Sequence, residues 1–224
     1  MGGLLTGVVP GVVRWVRAAP LTTAYAGLLL VTTVLLRLAP VDIDDQVLTG
    51  SSTDVTHLLR DPALVMVASA LVLPGLTWLP DGLVLLTLGR SLERRVGTWR
   101  TGLAMATGHV LGTVLTEGPI AVGVALHRLP GAWATRLDVG ASYALVAVVA
   151  GLVGLLPRLA RPPVFVVGAL LVAGVPELPP DMTAWGHLIA AATGVCWWHH
   201  LRRRSATTST PGARLAVEEA PRYP

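Results

Sequence analysis

The chain has 224 residues, of which 53% are hydrophobic and 13% charged, with a mean hydropathy of +0.65. That composition excludes an ordinary soluble domain and fits a polytopic membrane protein organised as one unit. The net charge of +4 comes wholly from arginine, since Lys and Asn are absent. The arginines flank apolar segments instead of forming a basic surface interleaved with aromatics, so nucleic acid is excluded as a partner and membrane orientation is the better reading. The lone Cys196 excludes an internal disulfide and a cysteine-based metal cluster.

The first residues, 1–13, are apolar but hold Pro10 and lack a basic stretch ahead of them; Arg14 and Arg17 follow. This argues for an interfacial helix over a cleavable signal peptide. Gly2 with Thr6 fits a myristoylation pattern, set aside because the arginine-rich, lysine-free composition points to a bacterial genome. Spans are then expected at 21–38, 78–92, 101–115, 139–156, 163–175 and 183–201, because about 20 apolar residues cross a bilayer core. The apolar stretch at 62–76 is too short to cross comfortably and is expected to lie half-submerged in an outer loop. Residues 1–19 are read as a cytoplasmic or interfacial segment, 20–204 as the membrane domain, and 205–224 as a disordered cytoplasmic tail rich in Ser, Thr, Pro and charge.

Six spans put both termini on one side. Arg14, Arg17, Arg90, Arg94, Arg95, Arg100, Arg158, Arg161 and Arg202 to Arg204 fall on that side, while Asp42, Asp44, Asp45, Asp54, Asp61, Glu117, Asp138, Glu177 and Asp181 fall on the other. By the positive-inside rule both termini are cytoplasmic, in a bacterial plasma membrane. Each of the seven tryptophans is expected near a span end, where the headgroups lie. The fifth span is the shortest, bracketed by Pro162, Pro163 and Pro176, and is expected to be the least firmly seated.

Two short motifs carry the chemistry. Gly140-Ala141-Ser142-Tyr143 opens the fourth span and Trp185-Gly186-His187-Leu188 lies in the sixth. Ser142 is four residues after Asp138 and His187 six after Asp181, depths of about 6 and 9 Å on a helix. An imidazole at matching depth can take the serine proton, and Gly140 with the start of a helix would expose N–H groups near the resulting oxyanion. The bland alternative is a packed serine and a histidine bonded to a carbonyl. Gly140, Ala144, Ala147 and Gly151 form one small-residue stripe, and Gly186, Ala190 and Gly194 another. In a regular helix Ser142 lies opposite the first stripe, so contact with His187 does not follow from it.

Together with Gly89-Arg90-Ser91-Leu92-Glu93-Arg94-Arg95-Val96-Gly97 after the second span, these motifs resemble the rhomboid intramembrane serine proteases, over about residues 20–201. The stretch 53–143 is also similar to the divergent bacterial branch called rhomboid-like proteins. The resemblance implies an all-α fold of six membrane helices, Ser142 as nucleophile and His187 as general base, without cofactor or metal. Its substrates are transmembrane protein segments, cut near their outer ends; the alternative is an inactive member that binds transmembrane clients. The family's His and Asn that help hold the oxyanion correspond to Thr77 and Asp81, and the Gly after the nucleophile corresponds to Tyr143, which is expected to add bulk where a substrate backbone would approach. An ionised Asp81 would repel an oxyanion. His109, with Thr113 and Glu117 on one face of the third span, either supplies the missing donor or bonds to a neighbouring helix. A metal site of His109, His187 and Glu117 lacks ligand spacing.

Overall fold

A computed structural model describes residues 11, 13–75, 77–173 and 181–208. The described chain is all-α. Residues 13–17 are helical; residues 1–10 of the N-terminal segment lie outside the described part. Next come α1 (Pro20–Leu38), then three short helices, α2 (Val41–Gly50), α3 (Val55–Arg60) and α4 (Pro62–Leu71). α5 (Trp78–Val84) runs through a π turn (Leu85–Gly89) into α6 (Arg90–Val96), and the long α7 (Thr98–Ala125) follows. The remaining helices are α8 (Ser142–Val153), α9 (Arg161–Ala173), α10 (Met182–Cys196) and α11 (Trp198–Thr208).

Among the described residues, α1 alone is both long and apolar enough to cross a bilayer unaided. The six expected spans are therefore not six continuous apolar helices of membrane length. The fourth loses residues 139–141, because Gly140 stands at φ +131, a conformation that interrupts a helix and suits glycine. Its 12 helical residues measure about 18 Å. The second span changes from α to π and back, its backbone staying helical throughout, and α7, which contains the third, carries buried His109 and Glu117. α4, ten residues long, occupies the stretch expected to fall short of a crossing. Of the tail expected to be disordered, 205–208 continue α11 as helix, and 209–224 lie outside the described residues.

α8 is the centre of the molecule. Every residue from Tyr143 to Val153 is buried, as a helix that is apolar all round requires. α7 and α10 close on it through glycines. A Cβ at Gly108 of α7 would overlap the Ala147 side chain, and one at Gly194 of α10 would overlap the Ala147 carbonyl. The small-residue stripes on α8 and α10 therefore do meet, at Ala147, Gly151 and Gly194. At the far end, Trp198 Nε1 donates to Ala150 O at 2.7 Å and Arg202 Nε to Gly154 O at 3.0 Å, satisfying carbonyls that a helix end leaves open.

The Gly89-to-Gly97 motif has a structural explanation. Gly89 faces the Thr22 methyl, where a Cβ would sit at 3.1 Å. Gly97, at φ +88, makes the corner between α6 and α7. Between them Glu93, 2% exposed, accepts from Leu21 N, Thr22 N and Thr22 Oγ1, and also from Thr98 Oγ1 at 2.7 Å. One carboxylate thus caps the start of α1 and ties it to the α6–α7 corner. Glu93→Ala strands the buried Thr22 N–H at about 1 to 3 kcal/mol and also removes the acceptor of the partly exposed Leu21 N–H. A lowered unfolding temperature in detergent, with a smaller loss for Glu93→Gln, is the expected result; equal loss in both variants would mean that side-chain volume, not hydrogen bonding, matters here.

Candidate active site

The segment 136–141 leads into α8 and is fixed from several directions. Asp138 N donates to Ser52 Oγ at 3.1 Å, while Asp138 O accepts from Thr53 N and Thr53 Oγ1 at 2.8 and 2.9 Å. Burial pushes the Asp138 carboxyl above the usual carboxylate range, opposed by the nearby Arg136. Gly140 N donates to Ser69 O at 3.1 Å. The Gly140 amide, expected near the oxyanion, is therefore engaged with Ser69, and the residue supplies the positive-φ conformation that leads into Ser142. Because α8 begins at Ser142, the unpaired donors of its first turn are the N–H groups of Ser142 and its successors.

Ser142 Oγ lies 3.0 Å from His187 Nε2. Both side chains are partly exposed, unlike the buried residues that follow Ser142 on α8. The contact arises because α10, capped by Asp181 accepting from Ala184 N at 2.7 Å, packs along α8 with Gly186 against Tyr143. The Tyr143 ring meets the His187 ring edge-on, centroids 5.2 Å apart, and its hydroxyl donates to Asp138 Oδ1 at 3.3 Å. Glycine at 112 and 186 leaves room for that ring on both sides. Tyr143 is consequently buried between α7 and α10, and the bulk expected beside the nucleophile is directed inward.

The remaining sequence candidates lie elsewhere. His109 Nε2 is 3.0 Å from Met66 O and 3.1 Å from Ser69 Oγ. A carbonyl only accepts, so Nε2 carries the proton and binds α4. Of the two alternatives the sequence leaves for His109, this is the neighbouring-helix one. Asp81 is buried in the first turn of α5 and makes no hydrogen bond to Ser142 or His187. Thr77 Oγ1 donates to Pro74 O at 2.9 Å. Glu117 is paired with Arg136 at 2.9 Å, and no metal-holding group occurs among the described residues.

Sequence reasoning missed Arg136 and treated Asp138 only as a boundary marker. An arginine on the acid-rich side of the chain was the available signal. The pairing it makes needed the fold.

A serine hydroxyl and an imidazole nitrogen are thus in hydrogen-bonding contact at the head of a buried helix. Residues 14–207 match the family model described as rhomboid-like protein. The chain belongs to the rhomboid-like protein family. No curated protein and no solved structure matches it.

Proposed function

We propose that this rhomboid-like protein is an intramembrane serine endopeptidase that cuts transmembrane segments near the outer membrane face. The 3.0 Å contact between Ser142 Oγ and His187 Nε2 is the observation that carries the reading. In the proposed reaction the Ser142 hydroxyl passes its proton to His187 and attacks the scissile carbonyl. The oxyanion forms against the free N–H groups that begin α8. His187 then protonates the leaving amine, and water activated by the same imidazole releases the acyl group. With no carboxylate hydrogen-bonded to the His187 ring among the described residues, the pair acts as a dyad.

The substrate enters beside α9 in this reading, supported by the burial there of Gly168 alone among the described residues of that helix. The partners are the lipid bilayer and transmembrane proteins. A fluorophosphonate added to the detergent-solubilised protein tests the activity: covalent labelling of the folded chain is expected. Absence of labelling would favour an inactive protein that binds transmembrane clients, a reading supported by Asp81 standing where the family's oxyanion Asn is expected.

The six-span topology belongs to the same proposal, with the helices α1, α5 to α6, α7, α8, α9 and α10 crossing and both termini cytoplasmic. It rests on the arginine distribution. A reporter fused after Pro224 is expected to behave as cytoplasmic. A reporter found outside would put the site on the opposite face of the membrane.

A further inference from the structure

Two residues outside the Ser142–His187 pair connect the segments that carry it. Arg136, six residues before Ser142, donates from Nη2 to Glu117 Oε1 at 2.9 Å and from Nη1 to Thr183 Oγ1 at 3.1 Å. Glu117 is 1% exposed and belongs to α7, so the ion pair is anchored on a buried group in the longest helix. Thr183 lies one helical turn before His187 on α10, and therefore on the same face. The guanidinium thus joins three elements: α7, the segment leading into α8, and the first turn of α10. Its planar fork suits two acceptors held at a fixed angle, which a point charge on a flexible stem would not achieve.

We propose that Arg136 is a positioning residue for the Ser142–His187 pair, using its anchor on Glu117 to hold Thr183, and with it the start of α10, in register with the start of α8. The remaining supports of the segment fit this role. Asp138 is pinned by Ser52 and Thr53, and Gly140 by Ser69, so the backbone between Arg136 and Ser142 has little slack. Movement between the two helices at this end must then come from α10, and the Thr183 contact opposes it. The lever is short: a slip of one ångström between the first turns of α8 and α10 passes almost undiminished to a hydrogen bond one turn further along. Misplacement on that scale is enough to cost about 10²-fold in rate.

This inference rests on the proposed serine chemistry, and its test separates the two. Thr183→Val removes the hydroxyl at nearly constant volume, Thr183→Ser restores it, and Arg136→Gln removes the whole fork. With a fluorophosphonate probe, Thr183→Val and Arg136→Gln are expected to lower the rate of inactivation about tenfold while leaving the apparent probe affinity unchanged. Thr183→Ser should recover at least half the wild-type rate. The double variant should lose little beyond Arg136→Gln alone, since both changes break one contact. Wild-type inactivation rates in Thr183→Val, or additive losses in the double variant, would overturn the role.

A second readout does not depend on activity. In protein labelled with ¹⁵N-histidine, the His187 Nε2 resonance is assigned by its loss in His187→Gln and its hydrogen-bonded position by comparison with Ser142→Ala. Thr183→Val is expected to move it toward the Ser142→Ala position, and Thr183→Ser to return it. An unmoved resonance would overturn the positioning role even if the wild-type protein reacts with no probe. A moved resonance in an unreactive protein would keep the role and sink the protease reading alone. Should Arg136→Gln fail to fold, the two Thr183 variants still decide.

Discussion

Ser142→Ala is expected to abolish covalent labelling by a fluorophosphonate, and His187→Ala to slow it by roughly 10⁴ to 10⁶-fold, the range found when a nucleophile or its base is removed from a serine hydrolase. The size follows from the chemistry: without Nε2 at 3.0 Å nothing takes the hydroxyl proton as the bond forms. The fold should survive both changes. Ser142 contributes one side-chain hydrogen bond, to His187, and the His187 ring contributes its edge contact with Tyr143, about 0.5 to 1.5 kcal/mol. Gel-resolved labelling, with circular dichroism as the control for folding, checks the result. Labelling that persists in Ser142→Ala would identify another serine as the nucleophile.

The second large effect is one of packing. Gly194→Val should destabilise the protein by about 3 kcal/mol or more, because the added atoms would collide with the Ala147 carbonyl and crowd Ala150 Cβ and Gly151 N, 2.7 and 3.0 Å from the first of them. Two of those three neighbours are backbone, so no rotamer change relieves the clash. The helices must separate, and His187 travels with α10. Gly27→Ala in α1 is the matched control: nothing beyond its own turn of helix lies within 4 Å of the added Cβ and no proline follows it, so replacing a mid-helix glycine there should gain up to about 1 kcal/mol. Unfolding temperatures of the two variants measured side by side are expected to move in opposite directions. A tolerated Gly194→Val would mean that α8 and α10 are not held in close backbone contact.

The helical framework was largely readable in the chain, because long apolar runs between charged ends leave few alternatives. The meeting of Ser142 with His187 was not: equal depth, assigned from Asp138 and Asp181, permits the contact, but the small-residue stripe on the fourth span leaves it open. What escaped was direction. Gly140 at positive φ starts α8 three residues later than hydropathy places it. Tyr143 reads as an obstruction beside the nucleophile, yet glycines on two other helices, Gly112 and Gly186, draw its ring inward. His109 reads as a spare donor, but its partners, Met66 and Ser69, sit on α4, a helix whose packing partner no local pattern specifies. Arg136 and Glu117 are separated by 19 positions and by the turn after α7. Periodicity tells which face of a helix is apolar; it does not tell which neighbour that face will meet.

The burial of α8 on every side has a mechanical meaning. A helix with no outward face does not feel its surroundings directly: changes in the thickness or tension of the medium reach it only through the helices packed around it, α5 to α7 and α9 to α11, which would have to deform first. Ser142 sits at the head of this insulated rod, as on the stator of a machine. The parts free to answer the environment are the outer helices, α1 and α9 foremost, so the Ser142 hydroxyl keeps its place while the rim of the molecule adapts.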